Sequence, residues 1–269
     1  MLGRVGVFDS GLGGLTVARE LASRFPGIDL RYLGDTARLP YGAKSEDTIT
    51  RYAVRCVRHL VEQGVDAVVV ACNTASACAL PALRETWPAL PVWGVVEPGA
   101  RAAVAATRTG RIGVIGTERT VLSESYPRAI LALAPRAQVA ALACPLLVPL
   151  VEAGWVDHPV TRLTVETYLG ELFARAPELD TLVLGCTHYP VLKGVIGEVA
   201  ARLCGRPLAL VDSAEAITEA LAPQIVESDR GTGPRRFAVT DMPSSFARVA
   251  ATFWPESLPE VSHVDLTMD

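Results

Sequence analysis

Two thiols stand where a strand-and-helix chain would do chemistry. Cys186 lies in DTLVLGCTHYP, Asp180 to Pro190, where a short apolar run ends at Gly185 and a thiol, a hydroxyl and an imidazole follow in Cys186, Thr187 and His188. Such a run reads as a strand buried on both faces. The residues just past its carboxyl end are where open α/β sheets hold ligands. Cys72 sits in the same layout, DAVVVACNTASA from Asp66: acid, four apolar residues, a small residue, Cys, and Thr soon after. Asp66 and Asp180 are 114 residues apart, and so are Cys72 and Cys186.

Two further pairs follow in the same order. Gly3-Arg4-Val5-Gly6-Val7 matches Gly110-Arg111-Ile112-Gly113-Val114 at a spacing of 107, and Val95-Val96-Glu97-Pro98 loosely matches Leu210-Val211-Asp212-Ser213. A solenoid repeats every ~20–50 residues, so the spacing points to a duplicated α/β unit. Facing each other across a cleft, the two units would bring Cys72 and Cys186 to one ligand from opposite sides.

Four chemistries could use such a pair. One thiol could take a proton from a substrate carbon while the other delivers one, as in a racemase or epimerase, with Asp9 and His188 drawing the thiols toward working pH. Cys186 and His188 could act as nucleophile and base, which leaves the second thiol unexplained. The thiols could form a redox pair if their Cα atoms lay within ~7 Å. With His188 they could bind a metal, although usual zinc spacing and a fourth ligand are missing. A lone strand-end thiol could also be mere packing; the matched pair argues otherwise.

The elements that position these groups alternate strand and helix throughout. Strands are expected at 4–8, 30–33, 66–72, 92–96, from Arg111, at 139–142, before Cys186, at 208–211 and 236–240. Helices are expected at 15–25, after the N-cap Ser45, from about Ser76, after Gly116-Thr117-Glu118-Arg119-Thr120 to about Leu133, at 161–175, after the Cys186 strand, from Ala214 and at 244–253, with a loop at Gly231 to Pro234. That alternation implies parallel, doubly wound sheets. The expected fold is two similar α/β domains related by duplication, residues 1–97 with 210–269 forming the first and 98–209 the second, with the site between them. Asp9-Ser10-Gly11-Leu12-Gly13-Gly14 lacks the third glycine of a dinucleotide fingerprint. Its turn is expected to hold a carboxylate rather than a pyrophosphate, or to be a tight turn alone. Cys56 and Cys78 fall on helices and read as core.

Composition narrows the function. A net charge of −4 over 269 residues gives no basic footprint for nucleic acid. No apolar run reaches the ~18 residues of a membrane span, and no signal peptide is expected ahead of the first strand. Six cysteines without a C-x-x-C suit a reducing cytoplasm. Lys44 and Lys193 are the only lysines, and neither is at a strand end where a pyridoxal phosphate Schiff base would need one. The reaction is therefore expected to use no cofactor and no metal.

Phe8 to Gly14, Gly34-Asp35 with Pro40-Tyr41-Gly42, Ala71 to Ser76, and Gly185 to Pro190 together resemble the bacterial glutamate racemases over residues 4 to 215. Cys186-Thr187-His188-Tyr189-Pro190 resembles the glutamate branch of that superfamily rather than the aspartate branch, whose members tend to have Glu after Cys-Thr. The resemblance implies that Cys72, assisted by Asp9, works on the D-glutamate face and Cys186, assisted by His188, on the L-glutamate face. It implies that Asp9, Ser10, Pro40, Tyr41, Gly42, Asn73, Thr74, Thr187 and His188 hold the substrate. Glu152 would lie near the ammonium, and Thr117 and Thr120 would line the pocket. It further implies a cytoplasmic homodimer that makes D-glutamate for peptidoglycan.

Overall fold

The computed structural model describes residues 2–226 and 232–266. Its first unit lays down β1 (Arg4–Asp9), α1 (Leu15–Arg24), β2 (Asp29–Gly34), α2 (Glu46–Glu62), β3 (Ala67–Val70), α3 (Asn73–Thr86), β4 (Val92–Gly94) and α4 (Val96–Ala106). The second lays down β5 (Arg111–Gly116), α5 (Glu118–Leu122), α6 (Ser125–Leu133), β6 (Gln138–Ala143), α7 (Leu147–Glu152), α8 (Pro159–Arg175), β7 (Thr181–Gly185), α9 (Lys193–Cys204), β8 (Ala209–Asp212) and α10 (Ser213–Leu221). The chain closes with β9 (Arg235–Val239), α11 (Phe246–Phe253) and β10 (Val261–His263).

All pairings between these strands are parallel, and the duplication appears as topology. The second sheet runs β6-β5-β7-β8; the first contains the matching order β2-β1-β3-β4, extended past β2 by β9 and β10. β3 and β7 are buried along their whole length, as their unbroken apolar runs require. The paired acids ahead of them have a structural use. The Asp66 carboxylate accepts from the Gly3 and Arg4 amides, and that of Asp180 from the Arg108 and Thr109 amides, so each fixes the chain leading into or through the turn before the first strand of its unit. Modest burial would raise the Asp180 carboxyl, but the Thr107 hydroxyl and those amides outweigh it and hold it down at about 2.

The expected domain limits need correction. β8 pairs with β7, so residues 210–212 belong to the second sheet and not to the first unit. The 97/98 limit cuts α4 in its first turn. The fourth helices are exchanged. Val96, Ala100 and Ala103 of α4 enter the second core with Ile112, Val114, Tyr126 and Val183. After β8, α10 returns to lie on α1, placing Ala214, Ile217 and Leu221 in one cluster with Leu15, Ala18 and Leu21.

Local deviations have local causes. α3 starts at Asn73 rather than Ser76, because the Cys72 sulfur accepts the Ala75 amide and caps the helix. The helix expected after Gly116–Thr120 and running to about Leu133 is two helices, parted at Glu124, whose φ of 52° is left-handed. There the Ser123 hydroxyl donates to the Thr120 carbonyl and accepts the Ser125 amide. Ser45 caps α2, and Cys56 and Cys78 are buried. Gly231, in the expected loop before β9, lies outside the described residues.

Candidate active site

The carboxyl ends of the inner strands meet around a cavity of about 400 Å³. Ser10 follows β1, Cys72 follows β3, Thr117 follows β5, and Cys186 follows β7; all four line it. Pro40, Tyr41, Gly42, Asn73, Thr74, Glu152, Thr187 and His188 complete the expected set of wall residues. Asp9 and Thr120 are not in the wall. Asp9 is wholly buried behind it, and the buried Thr120 hydroxyl bonds to those of Thr74 and Thr117.

The two thiols have different surroundings. Cys72, at the amino end of α3, is pushed up to about 12 by burial and by the Asp9 charge. A Ser10 side-chain contact and the Ala75 amide, whose nitrogen is 3.4 Å from the sulfur, work the other way. Cys186 has an imidazole instead. His188 Nδ1 stands 3.9 Å from its sulfur, and Nε2 is 3.0 Å from Glu152 Oε1. Burial alone would lower His188, but its bonds to Cys186 and Glu152 overcome that and raise it to about 10. At neutral pH the ring is therefore an imidazolium beside the Cys186 sulfur.

Asp9 follows a third logic. Burial raises its carboxyl, and the Gly14 and Gly11 amides oppose this. Oδ2 accepts from the Gly11 amide at 2.9 Å, while Oδ1 has no hydrogen-bond partner among the described residues. A buried, unpaired carboxylate oxygen is costly, so the site favours a proton there. The glycine-rich turn thus directs its Gly11 and Gly14 amides at the protein's own carboxylate, while Ser10 of the same turn lines the cavity. Close packing explains its glycines: a Cβ at Gly14 would fall 2.4 Å from Asp9 Cβ, and one at Gly13 would fall 2.3 Å from Thr187 Oγ1 and 2.5 Å from His188 Nδ1.

Contacts across the cleft hold the walls in register. The Thr74 and Thr117 hydroxyls are 2.9 Å apart, and Arg119 Nε donates to the Lys44 carbonyl at 3.0 Å. The Tyr41 hydroxyl donates to the buried Asp35 at 2.5 Å, which ties that loop to the first unit. Asp35 also accepts from Arg38 and Thr240. Sequence reasoning missed Leu39, Glu118, Pro145 and Val148 in the wall and Phe253 against the His188 ring. Pro145 in the turn before α7 and Pro149 in the first turn of that helix were the available signal; nothing marked the others. Among the described residues no three His, Cys, Asp or Glu side chains converge as a metal-ligand set.

A cavity with an acid/base-capable thiol from each of two duplicated units defines the class, and the comparisons agree with it. The family model for Asp/Glu/hydantoin racemases matches residues 15–221, and the chain belongs to that family. Among its relatives, the glutamate racemase of Geobacter metallireducens is 48% identical over 267 residues, covering 97% of this chain and 96% of that protein. The crystal structure of glutamate racemase isoform RacE1 from Bacillus anthracis superposes with a TM-score of 0.89 at 37% identity, over 98% of each chain. That of the Francisella tularensis glutamate racemase in complex with D-glutamate gives 0.87 at 33%, over 98% of this chain and 97% of that one.

Proposed function

We propose that this protein is a cofactor-independent glutamate racemase that exchanges the Cα proton between two thiols. The observation that carries the reading is that Cys72 and Cys186, from equivalent strand ends of two duplicated units, line one cavity. In the L-to-D direction the Cys186 thiolate, beside the His188 imidazolium, takes the Cα proton of L-glutamate. The C–H electrons move into the α-carboxylate, and the Cys72 thiol delivers its proton to the opposite face. One proton is taken and one is given. In the D-to-L direction the roles exchange, with Cys72 as base and Asp9 assisting. Ser10, Tyr41, Gly42, Asn73, Thr74 and Thr187 hold the carboxylates; Glu152 favours the ammonium. Fixed donors around the developing enediolate supply the stabilisation that a cofactor would otherwise give.

Glutamate is the substrate that the named relatives support, and D-glutamate for peptidoglycan is the product use that follows. Among the described residues no helix is long and apolar enough to cross a membrane; a cytoplasmic homodimer completes the reading, checked by light scattering and fractionation. The deciding experiment incubates purified protein with L- or D-glutamate in deuterium oxide without added pyridoxal phosphate or metal. Loss of optical activity with deuterium at Cα is expected from either enantiomer, and aspartate should turn over far more slowly. Unchanged rotation with no deuterium would refute the reading.

A further inference from the structure

Asn73 is the first residue of α3, next to Cys72, and it lines the cavity while only 2% exposed. Both ends of its side-chain amide are engaged by residues distant in sequence. Tyr126 Oη donates to Oδ1 at 2.6 Å, and Nδ2 donates to Ser213 Oγ at 3.4 Å. Tyr126 and Ser213 are each 1% exposed. A side-chain amide can turn over and exchange its donor and acceptor ends, so whatever bonds to it chooses which end a ligand meets. Burial and the nearby Cys186 and Asp212 charges push the Tyr126 phenol up, so it remains protonated and donates. A donor at that point selects the carbonyl end of the amide. Two hydrogens remain on Nδ2, and Ser213 takes one through the longer contact.

The seat of the Tyr126 ring is also specific. A Cβ at Gly99 would fall 3.1 Å from Tyr126 Cε1, and one at Gly185 would fall 3.2 Å from Cε2. The ring therefore rests against the residue before Cys186 while its hydroxyl reaches the residue after Cys72. It spans the two thiol-bearing turns.

We infer that Tyr126 is a positioning residue for substrate binding: it locks the Asn73 amide with its NH2 toward the cavity, where that group donates to a substrate carboxylate. This rests on the racemase reading above. Tyr126→Phe keeps the ring and its seat but removes the donor. The amide is then free to present its carbonyl to an anion, and KM should rise roughly two- to ten-fold, the worth of one neutral hydrogen bond. kcat should change less than KM.

The test measures kcat and KM in both directions, with thermal unfolding, for the parent, Tyr126→Phe, Asn73→Ala and the double variant. The expected result is a raised KM for both enantiomers in Tyr126→Phe, with no further rise when that change is added to Asn73→Ala. Ser213→Ala, which frees only the weaker end, gives a smaller rise and keeps the test open if Tyr126→Phe folds poorly. An unchanged KM in the folded variants, or Tyr126 and Asn73 effects that multiply independently, would overturn the inference while leaving the racemase intact. A parent protein that neither binds nor racemises glutamate overturns both.

Discussion

Replacing Glu152 by Gln tests the relay beside Cys186, because it keeps the shape of the side chain and removes its charge. At 3.0 Å from His188 Nε2, a unit charge in a medium of effective dielectric about 20 is worth about 5.5 kcal/mol. The Glu152 side chain is 36% exposed, and water screens much of that interaction. A quarter to a half surviving is about 1.4 to 2.7 kcal/mol, or about one to two pH units. His188, now near 10, should then titrate at roughly 8 to 9. The chain has four histidines, so ring-labelled protein resolves the His188 midpoint directly by NMR, and the alkaline limb of kcat/KM should move the same way. The two enantiomers have equal free energy, so kcat/KM must fall by one factor in both directions, which checks the kinetics internally. A midpoint that stays put or rises in Glu152→Gln would refute the assigned relay.

Other outcomes follow from the same geometry. Ser at Cys72 or at Cys186 should cost roughly 10²- to 10⁴-fold in racemisation, the range of a lost general acid or base, with circular dichroism showing an intact fold. Because His188 is raised in the folded protein, its stabilising contribution is complete below its ordinary value near 6.5 and is lost as pH rises through about 10. Denaturant unfolding should therefore show stability from this group declining over that window, and over a narrower one in Glu152→Gln. Gly13→Ala would drive a methyl into Thr187 and His188; at least a ten-fold loss of activity is expected, with a modest change in Tm. Asp35→Asn weakens a fully buried acceptor that holds Tyr41, Arg38 and Thr240, and should lower stability by up to about 3 kcal/mol by denaturant titration.

What the chain disclosed before folding was chiefly what repeats. Strand-end thiols, their matched spacing and the alternation of elements are local signals, and the paired strand orders follow from them. The start of α3 was misplaced because a cysteine is not among the usual helix caps, although the fold uses Cys72 as one. The exchange of α4 and α10 leaves no periodic mark, since an apolar stripe states that a helix is buried and not against which sheet. Tyr126 and Ser213 lie 53 and 140 residues from Asn73, and neither residue type suggests an amide clamp. β10 is three half-buried or exposed residues at the edge of a sheet, too short for alternation to reveal.

The crossed fourth helices also bear on how the molecule could be divided. A chain severed between residues 107 and 110 would leave α4 on the leading fragment, with the small apolar face that belongs under β5 and β7 turned to water. The trailing fragment would carry α10 away from α1 and lack a wall of its own interior. Each piece would be sticky where the other is hollow, so expressed together they should reassemble, and expressed apart they should aggregate.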